Sequence, residues 1–156
     1  MSIRDDAIRL PPSASATGPD LRPLTTSSLR VPHEITGVRR ARHAVAEQLT
    51  AAGVPDAVRD DAMLVLSELV SNAVRHAEPL PTGEIGVSWS VTHDVIHLEI
   101  TDGGSSTRPQ ANIVAMTSMG GRGLDIVRSV SSEWGVTEGD SSVTVWADLP
   151  AGQRLR

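Results

Sequence analysis

The sequence predicts an α+β fold, a two-layer α/β sandwich. Three observations carry this. Two adjacent segments repeat apolar residues at helical spacing. Two later segments alternate with period two and read as neighbouring antiparallel strands. A glycine-led helix and one or two further strands close the chain. Helices and antiparallel strands gathered in runs, without strict alternation, pack as one layer on another.

The elements follow in order. Residues 1–26 are rich in Pro, Ser, Thr and Ala, broken by Pro11, Pro12 and Pro23. They bury too little apolar surface to order themselves and are expected to form a disordered tail. Ser27 to Val31 reads as a short first strand ended by Pro32. From Glu34 to Ala52, the residues Ile35, Val38, Ala41, Val45, Leu49 and Ala52 recur at helical spacing, and Gly53 and Pro55 close that helix. Asp56 is the expected N-cap of the next helix, whose apolar stripe is Met63, Leu66, Leu69, Val70, Ala73 and Ala77. Pro79 and Pro81 lie past its end.

Ile85 to Thr92 and Val95 to Thr101 read as the antiparallel pair, with a turn near His93-Asp94. Asp102 to Ser106 is a loop signal. Thr107 to Gly121 has no strong period, with a helical turn expected over Ala111 to Thr117. Leu124 to Val130 reads as a helix, and Ser142 to Leu149 as a last strand paired with one near Trp134 to Thr137. The expected organisation is one domain over 27–150, with a C-terminal tail over 151–156.

Composition removes several function classes. The chain has 156 residues and a net charge of −5, which argues against a dedicated nucleic-acid binder. All 14 basic residues are Arg. A P-loop and a common eukaryotic protein kinase both need a Lys at the phosphates, so neither machine is present. Any nucleotide must be held by backbone N–H groups, Arg and metal. The absence of Cys rules out disulfides, a thiol nucleophile and a Cys-type zinc site. Met1 to Thr26 lacks the apolar run of a signal peptide, and no stretch approaches a membrane span, so the expected location is the cytoplasm. With no Phe or Tyr, aliphatic residues and three Trp must fill the core; Trp89, Trp134 and Trp146 are expected there.

Three motifs carry chemistry. In Ser67 to Ala77, Glu68 and Asn72 are four apart and share a helical face that His76 extends, roughly opposite the apolar stripe. Alone, this reads as a solvated face; functionally, it sets a carboxylate base beside an amide oxygen able to ligate a hard cation. In Ile100 to Gly104, an Asp at a strand end before glycines is most often a turn. Functionally, its carboxylate accepts from an exocyclic amine while a glycine admits a flat ring. Gly120 to Leu124 opens an apolar helix, and the N–H groups and dipole there attract an anion; the bland alternative is a flexible linker.

Together the motifs resemble the gyrase, Hsp90, histidine kinase and MutL superfamily of ATP-binding domains. Glu68 and Asn72 match the N box, Asp102 and Gly104 the first glycine box, Gly121 and Gly123 the second. Ser67 to Ala77, Arg122 to Val127, Trp134-Gly135 and Thr144 to Trp146 look most like the stand-alone anti-sigma-factor serine/threonine kinases. The resemblance covers about Ser27 to Pro150. It implies a Bergerat-type fold, a mixed, mostly antiparallel sheet with helices on one face. It also implies roles: Asn72 ligates Mg²⁺, Glu68 is the general base, and Asp102 bonds the adenine amine with support from Thr144. Gly121, Arg122 and Gly123, with the helix entered at Leu124, cradle the phosphates, His76 extends the nucleotide-binding face, and Ser105 to Gly120 form a lid.

Two positions depart from the family pattern: Ser106 stands where another Gly is common, and Val143 where close relatives often carry Lys. Arg39, Arg40 and Arg42 read as a solvated face. His43 is not expected to be a phospho-acceptor, since the chain has no room for a separate dimerising helical domain. The function expected is a Mg²⁺–ATP-dependent anti-sigma-type serine/threonine kinase. It phosphorylates a small antagonist protein, sequesters a sigma factor, or both. Partners are proteins, with no direct nucleic acid and no membrane, and relatives often dimerise. The rivals are an ATP-responsive binding module with little or no transferase activity, and an interaction protein with a decayed site, against which the intact Glu68 and Asn72 speak.

Overall fold

Period-two alternation builds the sheet. The computed structural model describes residues 25–104 and 122–152. Most of the expected N-terminal tail, the lid with its helical turn at Ala111 to Thr117, Gly121 and the last four residues lie outside that range. Among the described residues, β1 (Thr25–Pro32), β2 (Glu84–Val91), β3 (Val95–Asp102), β4 (Glu133–Glu138) and β5 (Val143–Pro150) form one sheet in the order β1-β2-β3-β5-β4. Every neighbouring pair is antiparallel. One face carries Ile85, Val87, Trp89 and Val91, then Ile96, Leu98 and Ile100, then Val145, Ala147 and Leu149, all buried.

Helices α1 (Ile35–Ala51), α2 (Asp56–His76) and α3 (Arg122–Val130) cover that face. α1 packs on β1 and β2, α2 on β3 and β5, and α3 on β4, so α2 lies between the other two. The stripes expected for α1 and α2 supply most of the helical core: Ala41, Val45 and Leu49, then Leu66, Leu69, Val70 and Ala73 are buried. The expected two-layer α+β sandwich is therefore the observed architecture, and no described helix is long and apolar enough to cross a membrane.

Local differences have physical causes. The first strand begins at Thr25 and takes in Pro32, which an edge strand tolerates because its missing N–H faces away from the ladder. Ile35, expected on the core stripe, is 70% exposed. Gly37 takes its place: a Cβ there would lie 2.1 Å from the Pro32 carbonyl oxygen, so the helix backbone itself sits on β1. Ile35, two residues earlier and roughly 200° around the helix, turns outward. α1 closes with the N–H of Val54 on the Leu49 carbonyl and that of Gly53 on Thr50, at 3.0 Å each, and with Gly53 at φ +79°. This left-handed stop requires glycine. Asp56, expected as the N-cap of α2, is instead its first residue; Pro55 occupies the cap with extended backbone. The carboxylate of Asp56 accepts from Arg59 at 2.8 Å.

The tryptophans divide between the faces. Trp89 is in the core, its indole N–H donating 3.2 Å to Gln48 Oε1, and Trp134 packs against the core. Trp146 was expected there too, but the register sets it opposite Glu99 on the outer face. It stacks on His97 with ring centroids 5.8 Å apart, and a Cβ on Gly135 would lie 2.8 Å from the Trp146 ring. The His97 imidazole donates from Nδ1 to Asp148 Oδ1 at 2.5 Å and from Nε2 to Glu99 Oε2 at 3.0 Å, so the ring is an imidazolium. Burial alone would lower its pKa. The hydrogen bonds and charges of Asp148 and Glu99 override that and hold it at about 9, against 6.5 for the free side chain. A basic group raised on folding contributes stability that is complete below pH 6.5 and lost as pH rises through 9. The melting temperature of the protein is therefore expected to fall between pH 7 and 10, and His97→Gln to lower it at pH 7 while flattening that slope. A wild-type melting temperature level across this range excludes the charged triad.

Candidate functional site

The site lies at the end of the sheet where β3 stops. Asp102 is the last residue of β3 and is only 3% exposed, an acid closing a run of alternating aliphatic residues. One carboxylate oxygen, Oδ1, accepts the Gly104 N–H at 2.7 Å. Burial pushes its pKa up to about 6, against the pull of that hydrogen bond and of charge on His33. Around it the backbone folds tightly: the Glu78 N–H donates to the Gly104 carbonyl and the Gly103 N–H to the Glu78 carbonyl, each at 2.8 Å. Gly104 has φ +82°. A Cβ on Gly103 would lie 2.2 Å from the Pro79 carbonyl oxygen. Close approach is thus demanded at Gly103, between two backbones, a requirement the sequence reading had not assigned to it.

This pair of hydrogen bonds joins β3 to the end of α2, the helix carrying Glu68, Asn72 and His76. All three are half-buried. Their line was expected roughly opposite the apolar stripe; it runs along its flank instead. Each step of four residues advances roughly 40° around a helix, so the line spirals toward the core and His76 sits nearest it. The flank is identified by Ser67, whose hydroxyl accepts from Arg42 of α1 at 2.8 Å. Glu68 and Asn72 are turned away from α1, toward the α3 side of α2. Arg42, expected to be merely solvated, is thus a link between helices.

α3 completes the arrangement. Its C-terminal end runs into β4, whose Glu133 pairs with Asp148 at the far end of the sheet, while Glu138 pairs with Val143 beside Asp102. The N-terminus of α3 therefore points to the Asp102 end. Arg122, the first described residue of this segment, and Gly123 are already helical, whereas the sequence placed the helix entry after Gly123. Gly121 lies outside the described residues. The end of α2, the end of β3 and the positive end of the α3 dipole thus share one end of the molecule, a place suited to an anion.

The register corrects one expected contact. Thr144 was expected to support Asp102, but strands alternate faces, and Thr144 pairs with Thr101 on the outer face. Their hydroxyl oxygens lie 2.7 Å apart. The residue paired with Asp102 is Val143, 4% exposed, whose apolar side chain adds to the burial of the carboxylate. Among the described residues, no cluster of three or more His, Cys, Asp or Glu is placed to hold a metal ion. The donor set at Asn72 is one amide oxygen, which fits a hard cation that keeps water and takes its other ligands from phosphate. His33 was missed altogether. Its Nε2 lies 2.8 Å from the Ala77 carbonyl oxygen and 3.1 Å from that of Ala73, contacts between distant residues with no local sequence signal.

Comparison with known proteins agrees with this fold. A family model described as a histidine kinase-like ATPase domain matches residues 31–148. None of the curated proteins matches the chain. Among solved structures, the crystal structure of the RsbU and RsbW domains of Rv1364c from Mycobacterium tuberculosis is similar, with a TM-score of 0.61 at 20% identity. The likeness covers 83% of this chain and 34% of that one, and at this identity it is a likeness of fold.

Asp102 makes the site costly to the fold. An acid whose pKa rises on folding contributes stability that is complete below pH 3.8 and lost as pH rises through 6. Asp102→Asn keeps an oxygen for the Gly104 N–H without a buried charge. It is expected to raise the melting temperature at pH 7.5, with the gain vanishing below about pH 4. An equal shift at both pH values would show that burial of charge is not the cause.

Proposed function

Because the chain belongs to the histidine kinase-like ATPase domain family, we propose that it binds Mg²⁺–ATP and acts as an anti-sigma-type serine/threonine kinase. The reading extends to a small antagonist protein as phosphoryl acceptor, to sequestration of a sigma factor, or to both. The observation that carries it is the meeting, at one end of the sheet, of a buried carboxylate and a helix flank bearing Glu68 and Asn72.

In this reading Asp102, ionised above about pH 6, accepts a hydrogen bond from the adenine amine. A guanine carbonyl in that position sets oxygen against oxygen and is disfavoured. Asn72 offers its amide oxygen to Mg²⁺, which when bound supplies positive charge to the phosphate oxygens. The first turn of α3, with Arg122 and Gly123 and preceded by Gly121, receives the phosphates. His76 borders the same space. Glu68 lies one helical turn before Asn72 and acts as the general base. As the acceptor serine oxygen forms its bond to the γ-phosphorus, Glu68 takes the hydroxyl proton. The bond from the γ-phosphorus to the bridging oxygen breaks and ADP leaves.

Glu68→Gln keeps the shape of the side chain and removes the base. ATP affinity is expected to hold or improve while transfer of labelled phosphate to a partner serine, or slow hydrolysis, falls by about 10²–10⁴-fold. Normal turnover in this variant would leave the kinase reading without its catalytic residue and favour the ATP-responsive binding module. Asn72→Ala separates metal from nucleotide: calorimetry is expected to show a much larger loss of ATP affinity with Mg²⁺ than with chelator. Equal losses under both conditions would mark Asn72 as structural.

A further inference from the structure

His33 stands in the two-residue link between β1 and α1. The link is fixed from both sides: Gly37 abuts the Pro32 carbonyl, and its N–H donates to the Glu34 carbonyl at 2.8 Å. The imidazole is thereby aimed at the end of α2, where Nε2 faces two carbonyl oxygens, 3.1 Å away at Ala73 and 2.8 Å at Ala77. Both are acceptors, so this nitrogen is the N–H donor. α2 ends without the glycine stop that closes α1: Ala77, at its C-cap, is extended at φ −123° and ψ 165°, and Pro79 follows. The imidazole takes over what a left-handed residue otherwise does for terminal carbonyls.

These two carbonyls occupy a junction. Ala73 follows Asn72 directly. Ala77 precedes Glu78, whose backbone is bonded both ways to Gly103 and Gly104, and the Gly104 N–H holds the Asp102 carboxylate. A continuous path of hydrogen bonds and peptide units thus runs from His33 through the last turn of α2 to Asp102. Charge on the imidazole also acts on that carboxylate, which puts the two within electrostatic reach. We propose that His33 is a positioning residue of the nucleotide site, holding the end of α2 so that the Asp102 carboxylate and Asn72 keep the separation that one nucleotide spans.

This inference rests on the Mg²⁺–ATP reading of the site, and a double-mutant cycle on the full chain tests it. Calorimetric Mg²⁺–ATP affinities are compared for wild type, His33→Ala, Asp102→Asn and the double variant, with thermal melts confirming folded protein. His33→Ala is expected to weaken ATP by about three- to tenfold, the worth of a lost hydrogen bond. His33→Gln, which offers an N–H at the same reach, is expected to recover most of that loss. In the Asp102→Asn background the effect of His33→Ala is expected to shrink to within about twofold, because a residue acting through Asp102 has nothing left to position. A loss of equal size in both backgrounds, or a His33→Ala protein that binds like wild type, overturns the role. A wild-type protein that does not bind Mg²⁺–ATP overturns the nucleotide reading and His33's role with it; binding that is indifferent to His33 overturns only this inference.

Discussion

A carboxylate kept inside an aliphatic core is the constraint on which the site end of this protein depends. Asp102 sits where β3 runs out beneath α2, with Val143 beside it and one backbone N–H as its hydrogen-bond donor. Burial there raises its pKa to about 6, so the ionised form costs stability. Glycine is forced at Gly103 by the Pro79 carbonyl and at Gly104 by a left-handed backbone, and together they join the strand to the end of α2. In the function proposed above, this carboxylate, shielded from water, is the group that accepts from the adenine amine.

The rest of the architecture fixes where that end lies. A sheet with every pair antiparallel gives each strand a fixed partner, so β5 fixes both Val143 beside Asp102 and the placement of β4. β4 in turn sets the direction of α3. α2, packed between α1 and α3, has one flank tied to α1 by Arg42 and Ser67 and leaves the other, with Glu68 and Asn72, facing the space toward α3. Position in the helical layer thus decides which polar residues of α2 are structural and which face the site.

The two sheet faces use polar residues differently. On the helix side, Asp102 is an acid without a cationic hydrogen-bond partner among the described residues. On the outer face, His97 is clamped between Asp148 and Glu99 beneath the Trp146 ring, and its pKa rises for the opposite reason: partners outweigh burial. The first is a group held away from its comfortable state. The second is an ion network that satisfies itself, with both ring nitrogens bonded to carboxylates.

Most elements were legible in the sequence because their signals are local. Helical spacing in α1 and α2, alternation in β2 and β3, and a glycine before an apolar helix each follow from a few neighbouring residues. The motifs Glu68–Asn72 and Asp102–Gly104 were legible for the same reason, and they carry the resemblance to the family. Strand register was not legible, and it decided that Val143 and not Thr144 stands beside Asp102, and that Trp146 leaves the core. Nor was the spiral of an i, i+4 line, which put Glu68 and Asn72 on a flank rather than opposite the stripe. His33, Gly103 and the His97 cluster depend on residues far apart in the chain, up to 51 positions for His97 and Asp148. The sequence by itself determined the fold class, the helical and strand segments and the chemical groups at hand, since periodicity and residue type are local properties. Only the tertiary structure decided which of those groups meet, because strand pairing and helix packing set distances that no local pattern encodes.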